Sequence, residues 1–282
     1  MYVDLHVHSQ YSDGSDSIER IFSLTKERNI SFLSITDHDT IASQGEAVTL
    51  SRSFPNITYI TGTELSSHYN GMSVHILGYN FDHTNKSLQS AIARIQDARQ
   101  KRNMEMISLL ASHDIPLSPE DIPAFSKELS VGRVHIAQAM KTHGYVKSIK
   151  EAFTRYIGDR SPCYVKRWKY TVDEITEIIR KAGGISVLAH PSDLGLKKNA
   201  YADLFSYMKS AGIEGVEAYY SKSKKSVMGR LAELAKRFDL CITCGSDHHG
   251  IYSEKINIGY GMNGNLKKTR QHIDEFFKKI GK

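Results

Sequence analysis

Val3, Leu5 and Val7 alternate with Asp4, His6 and His8 at the start of the chain. A period of two is the pattern of a strand, and it sets His6 and His8 on one face. The turn through Ser12, Asp13 and Gly14 brings a carboxylate back over the strand end. Beyond it Ile18, Ile21 and Phe22 recur at helical spacing, with Asp16 and Glu19 as an expected capping pair. Residues 31–36 predict a buried strand that runs into Asp37-His38-Asp39-Thr40. Residues 41–53 predict a helix closed by Pro55-Asn56, and 57–63 a strand ending in Glu64. Residues 73–81, which hold His75, predict another strand, with Tyr69-Asn70-Gly71 as a hairpin turn before it.

From about residue 84 the pattern turns helical. Residues 86–112 predict a long basic amphipathic helix, Pro116, Pro119 and Pro123 an irregular connection, and 132–143 and 148–157 two more helices. With no strand in it, the stretch 84–165 is expected to be a helical insertion into one α/β domain formed by 1–83 and 166–282. The α/β rhythm then resumes. Thr171 and Glu174 form a capping box before Ile175, Ile178 and Ile179, and Gly183-Gly184 end that helix. Strands are predicted at 185–189, 213–219 and 240–245, and helices at 200–211, 223–238 and about 265–280. His190-Pro191 and Ser246-Asp247-His248-His249 stand at two of the strand exits.

Composition narrows the function classes. The chain has 282 residues, 40% of them hydrophobic, and a mean hydropathy of −0.38, and no apolar run approaches membrane-spanning length. Its start lacks a basic segment and an apolar core, so no secretory signal is expected. Three cysteines fit a reduced cytoplasmic setting better than a disulfide scaffold. A net charge of +6 is compatible with an anionic ligand such as a nucleotide, and is too diffuse to establish nucleic-acid binding.

The metal-type residues are not scattered. His6 and His8, Asp37 and His38, Glu64, His190, and Asp247 with His249 fall at or just past predicted strand ends, which converge on one face of a parallel α/β barrel. Imidazoles with carboxylates suit Zn, Mn or Fe, and thiolates are absent from the set. The candidates outnumber what one ion needs, so a polynuclear site is expected, with Glu64 as the bridging carboxylate.

The motifs Asp4-Leu-His-Val-His-Ser, Ser12-Asp-Gly14, Ile35-Thr-Asp-His-Asp39, Gly62-Thr-Glu-Leu65, His75-Ile-Leu-Gly-Tyr79, Ala189-His-Pro191 and Gly245-Ser-Asp-His-His249 resemble, in order, those of the PHP (polymerase and histidinol phosphatase) family. Gly132-Arg-Val-His135 and Pro162-Cys-Tyr-Val165 extend the likeness into the insertion. The resemblance implies a distorted (β/α)7 barrel with a helical insertion and a centre of three divalent ions (Mn, Fe or Zn). One ion would take His6, His8, Glu64 and Asp247. A second would share Glu64 and add His75 and His190, and a third would take Asp13, His38 and His249. His248 is expected to point away. The implied activity is hydrolysis of a phosphate monoester by metal-activated hydroxide, foremost the 3′-phosphate of a nucleoside 3′,5′-bisphosphate. The alternatives are 5′-3′ trimming of short RNA and hydrolysis of histidinol phosphate. No membrane and no obligate protein partner is implied.

Asp37, His38, Glu64 and Asp247 are the catalytic candidates. For Asp37, orienting His38 and capping a strand end stand as equal readings. Arg133 and His135, and less so Arg102, are candidates for a second substrate phosphate, with the insertion as a lid; Arg102 reads best as a solvated helix face. Other residues read as structural. Cys241 and Cys244 should pack, on opposite faces of a strand. Trp168 and Tyr170 should stack a base or pack a wall. Glu217, mid-strand near a barrel mouth, should be buried with a partner or else support the site from behind its ligands. Lys222, Lys224 and Lys225 should form a solvated helix start. His68, His83, His113, His143 and His272 should lie on the surface or in turns.

Overall fold

The computed structural model describes residues 2–122, 130–253 and 255–282. The chain divides into two compact units, Met1–Ile92 with Tyr170–Lys282, and Ala93–Lys169. Pro123 lies outside the described residues.

In the first unit, strands β1 (Tyr2–Val7), β2 (Ile30–Ile35) and β3 (Thr58–Tyr59) pair in parallel in the order β1-β2-β3. A second sheet has the order β4-β5-β6-β7-β8: β4 (Gly62–Tyr69), β5 (Met72–Tyr79), β6 (Ile185–Leu188), β7 (Gly215–Tyr220) and β8 (Cys241–Gly245). Here β4-β5 and β5-β6 are antiparallel, while β6-β7 and β7-β8 are parallel. Single parallel bridges join the sheets at Val7–His248 and His38–Glu64. The Asp247 N–H donates to the His6 carbonyl at 2.7 Å, and the His8 N–H to the His248 carbonyl at 2.9 Å. The fold is thus mixed α/β with parallel strand pairs.

Helices α1 (Ile18–Glu27), α2 (Gln44–Ser51), α6 (Val172–Lys181), α7 (Ala200–Ser210), α8 (Lys225–Arg237) and α9 (Asp274–Lys279) belong to this unit. The capping box of α6 is present: Thr171 accepts from the Glu174 N–H and Glu174 accepts from the Thr171 N–H. Its buried Val172, Ile175 and Ile179 make the apolar stripe of an amphipathic helix. At α1 the cap is Ser17, which accepts from the Arg20 N–H. Asp16 is instead bonded to His248, so the expected Asp16–Glu19 pair is corrected. Two further elements differ from the sequence reading. Residues 265–280 form a helical turn at Arg270–Ile273 and then the short α9, and residues 256–262 form a small antiparallel pair, β9 (Ile256–Asn257) with β10 (Gly261–Met262).

The antiparallel hairpin corrects the picture of Glu64 at a strand end. It is the third residue of β4, which continues to Tyr69. The turn fits its sequence: Asn70 and Gly71 both have positive φ, 46° and 78°, as a tight two-residue hairpin requires. The register pairs Glu64 with Leu77, which makes His75 its diagonal neighbour on the same face.

In the second unit, the end of α3 (Lys86–Ala111) packs with α4 (Arg133–Thr142), α5 (Ile149–Ala152) and a π-helical turn at Phe153–Ile157. The core there includes Met106, Leu110, Ile136, Met140, Ile157 and Cys163.

Close backbone approach explains one glycine directly. A Cβ on Gly245 would collide with the His6 Cβ and the Glu217 carboxylate. Gly245→Ala is therefore expected to destabilise the protein by about 1–3 kcal/mol through overpacking. A urea midpoint equal to wild type would show that the site yields more easily than this packing implies.

Candidate metal centre

Glu64 is fully buried, and five imidazoles surround its carboxylate. Oε1 lies 2.9 Å from His75 Nδ1 and 2.9 Å from His190 Nε2. Oε2 lies 3.0 Å from His38 Nδ1, 3.2 Å from His6 Nε2 and 3.3 Å from His8 Nε2. Asp247 adds a second carboxylate, its Oδ1 being 3.2 Å from His8 Nε2 and 3.6 Å from His6 Nε2. Asp13 adds a third, with Oδ1 3.3 Å from His249 Nε2 and Oδ2 3.8 Å from His38 Nε2.

The donors fall into four overlapping groups: His8, Asp13, His38 and His249; His6, Glu64 and His190; His6, His8 and Asp247; and His38, Glu64 and His75. Within each group one atom per residue lies within 4.8 Å of the others. All the residues proposed from the sequence as ligands are in these groups. The grouping differs in detail from the sequence assignment, since His8 also stands with Asp13 and His38 also stands with Glu64 and His75.

The donor set fits divalent cations. His6 Nε2 and His8 Nε2 face each other at 3.0 Å, and two lone pairs at that distance need a proton or a cation between them. His8 Nδ1, Asp13 Oδ1 and His38 Nδ1 are buried without a hydrogen bond, although each has polar neighbours. Orphaned buried polar atoms are costly, and a shared ion satisfies them together. Nitrogen and oxygen donors without thiolate match Zn, Mn or Fe.

Electrostatics follow the same geometry. Burial raises the Glu64 carboxyl, but His38, His75 and His6 outweigh it and hold the group well below the carboxylate range. Burial likewise opposes ionisation of Asp247 and Asp13. His249 and Lys222 overcome it at Asp247, and His38 and His249 at Asp13. Burial wins at His75, whose imidazole is lowered to about 4 despite Glu64.

Backbone placement supports the cluster. Asp247 has φ 55° and His190 φ 23°, left-handed values that are costly for non-glycine residues. Each lies two residues beyond a strand, β8 and β6, and the turned backbone aims its side chain inward.

Other site residues have definite partners. Asp37 accepts from the Ser9 N–H and hydroxyl, both at 2.8 Å, and from the Ser12 hydroxyl at 2.7 Å. Of its two readings, these bonds serve the cap: they hold the loop that carries Asp13. His248 bonds Asp16 and the Ile256 carbonyl, away from the cluster. Arg133 donates to Asp159 at 2.6 Å and to the Ile157 carbonyl. His135 Nδ1 accepts from the Gly132 N–H at the start of α4. Arg102 is only 6% exposed, which corrects its reading as a solvated face. Trp168 is 39% exposed, with the Arg94 guanidinium over its ring, so it is not a packed wall. Cys241 and Cys244 are free and buried.

Sequence reasoning missed part of the surround. Lys222, expected in solvent, has its ammonium 2.7 Å from Asp247 Oδ2. The Tyr220 hydroxyl lies 3.0 Å from the same oxygen and 2.9 Å from Asp193. Glu217 takes the supporting position that stood beside burial with a partner as its second reading. Its Oε1 is 3.0 Å from His6 Nδ1 and its Oε2 accepts from the His190 N–H at 2.8 Å. A carboxylate behind a ligating imidazole fixes its tautomer and direction. Glu217→Gln is expected to weaken divalent-metal affinity about 10–100-fold. Competition against a chromophoric chelator measures it, and unchanged affinity would leave Glu217 as packing only.

Comparisons with known proteins agree with this arrangement. The PHP domain family matches residues 4–282. A Haemophilus influenzae protein named 5′-3′ exoribonuclease is 32% identical over 246 residues, covering 87% of this chain and 89% of its own. A Chromobacterium violaceum 3′,5′-nucleoside bisphosphate phosphatase is 26% identical, covering 88% and 87%. A solved Bifidobacterium adolescentis structure, assigned to the metal-dependent phosphoesterases, superposes with a TM-score of 0.83 at 28% identity over 99% of this chain and 98% of that one.

Proposed function

Because the chain belongs to the PHP domain family and is a metal-dependent phosphoesterase, we propose that it removes the 3′-phosphate of nucleoside 3′,5′-bisphosphates at a centre of three divalent ions. The observation that supports this most is the burial of Glu64 among five imidazoles, with Asp13 and Asp247 at its flanks. In the proposal His6, His8, Glu64 and Asp247 hold one ion, Glu64, His75 and His190 a second, and Asp13, His38 and His249 a third. We take β3 and β4 together as one interrupted strand, which makes the eight strands β1 to β8 the seven of a distorted barrel. Residues 84–165 form the helical insertion, and Arg133, His135 and Arg102 bind substrate.

Bound divalent ions supply charge toward phosphoryl oxygens and lower the pKa of water to about 7. The chain's part is to fix their ligands before substrate arrives. Glu64 presents both oxygens from a strand locked on both edges. Glu217 holds His6 and the His190 backbone. Asp37, through Ser9 and Ser12, keeps Asp13 in place, and Lys222 and Tyr220 anchor the outer oxygen of Asp247. In the reading put forward here, the cationic Lys222 also faces the negative charge that develops on the phosphate.

A second reading, 5′-3′ trimming of short RNA, is favoured by the 32% identity to the Haemophilus influenzae exoribonuclease. Rates on nucleoside bisphosphates, 5′-phosphorylated short RNA, histidinol phosphate and a simple diester, compared for metal-loaded protein, separate the readings. Turnover of the diester or RNA alone would overturn the bisphosphate assignment. Arg133→Ala is expected to raise KM for a bisphosphate about tenfold more than for a monophosphate, the cost of one charge-assisted contact. Equal effects on both substrates would remove Arg133 from substrate selection.

A further inference from the structure

We propose that Asp16 and His248 act as a positioning pair: they hold Asp13 against His249 and so set the affinity of the ion that those two ligands share with His38. The role rests on the three-ion reading above. Neither Asp16 nor His248 belongs to the donor groups found among the described residues.

Asp13 lies in the loop after β1, and His249 lies past the exit of β8. Their ligand atoms nevertheless stand 3.3 Å apart, Oδ1 to Nε2. Two loops distant in the chain must be held together for that. A side-chain bond between residues 232 apart joins them: His248 Nε2 lies 2.9 Å from Asp16 Oδ2. Nδ1 of the same ring lies 2.9 Å from the Ile256 carbonyl. The His248 residue is only 7% exposed and its ring is bonded at both nitrogens, so the ring cannot turn without breaking a contact.

The fixed ring governs its neighbour through the backbone. His248 bridges Val7 in parallel, and its carbonyl accepts from the His8 N–H at 2.9 Å. Side chains adjacent along such a segment point to opposite sides, so a His248 ring anchored outward leaves His249 aimed at the ions. The other loop is held as closely. A Cβ on Gly14 would collide with the His8 carbonyl, so the turn that carries Asp13 lies directly on β1. Asp16 follows Asp13 by three residues. Ser15 adds to the same seam: its N–H donates to the His249 carbonyl at 3.3 Å, and its hydroxyl accepts from the Ile251 N–H at 2.9 Å.

The other two ions do not depend on this seam. Glu64, His75 and His190 ride on β4, β5 and the exit of β6, and Glu217 braces His6 and His190. Asp247 keeps its own anchors in Lys222, Tyr220 and the His6 carbonyl. Loss of the Asp16–His248 contact should therefore loosen one ion and spare two. Groups that support metal ligands from behind are worth about 10–100-fold in affinity, and a pair acting through the neighbouring backbone takes the lower value.

The test compares full-length wild type with His248→Phe, Asp16→Ala and Asp16→Asn, and uses Asp13→Asn to mark the ion. Each protein is stripped of metal and titrated with manganese in competition with a chromophoric chelator, which gives the number of sites and the dissociation constant of each. His248→Phe and Asp16→Ala should weaken about tenfold the same ion that Asp13→Asn weakens, with the other two unchanged. Asp16→Asn, which keeps an oxygen for Nε2, should stay near wild type. The double variant His248→Phe/Asp16→Ala should bind no more weakly than the worse single variant, because both changes remove one contact. Bisphosphate hydrolysis by the two disrupting variants should fall at limiting manganese and recover in excess. Melting of the metal-free proteins reports the purely structural cost. Lower melting temperatures with all dissociation constants unchanged would overturn the proposal, and so would equal weakening of every ion. If Asp13→Asn itself left every site unchanged, the three-ion assignment would fail, and the positioning role with it.

Discussion

Replacement of Glu64 by glutamine is expected to lower phosphoesterase kcat by about 10³-fold or more, at the upper end for one preorganised electrostatic group. The change keeps the shape of the side chain and removes its charge. Five imidazoles now share one carboxylate within 3.3 Å, and all of them lose their common anion. An amide oxygen is a weak cation ligand, and the amide NH2 would point a donor into a set of lone pairs. The expected result is therefore loss of bound metal together with loss of turnover. Metal content by elemental analysis and kcat at saturating metal check it. A variant that kept full metal content and wild-type kcat would refute the central role given to Glu64.

Removal of divalent metal from the wild type should have a comparably large effect. Chelation is expected to stop hydrolysis, and return of manganese, zinc or iron(II) to restore it. Stability should change as well, because the apo protein keeps Asp13, Glu64 and Asp247 buried around groups that a cation would otherwise satisfy. A ligand at 100 times its dissociation constant stabilises the folded state by about 2.7 kcal/mol. For a chain of this size that corresponds to a fall in Tm of roughly 5 °C on chelation. Scanning calorimetry with and without chelator gives the shift. Undiminished turnover by protein with under about a tenth of an equivalent of metal would defeat a mechanism that depends on metal-acidified water.

Local signals and the order of motifs carried much of the reading. The alternation from Val3 to His8 set two imidazoles on one face, and both are in the cluster. Asn70-Gly71 specified the hairpin because two positive φ values in succession suit few other pairs. Thr171 with Glu174 specified the start of α6 because a capping box is complete within four residues. No helix among the described residues is long and apolar enough to cross a membrane, in line with the absence of an apolar run.

What stayed hidden depends on register and on partners far away in the chain. The expectation of Glu64 at a strand end fails because nothing in Glu64-Leu65-Ser66 tells a stop from a continuing strand. Antiparallel pairing with β5 extended β4 to Tyr69 and brought His75 in diagonally. In β7 the register shifts between Glu217 and Tyr219. Strict alternation would put Tyr219 on the face of Glu217, and the bulge instead sends Tyr220 toward Asp247. Lys222 looked like a solvated helix start because nothing within its own neighbours is acidic, while its partner Asp247 lies 25 residues away. The sequence by itself therefore determined which donor atoms this protein has and the local segments that carry them, since caps, turns and strand alternation are written within a few residues. Tertiary structure alone decided which imidazole meets which carboxylate oxygen, and which of Asp37, Glu217, Tyr220 and Lys222 touch them. Those contacts are fixed by sheet register, a bulge and two backbone bridges between distant strands.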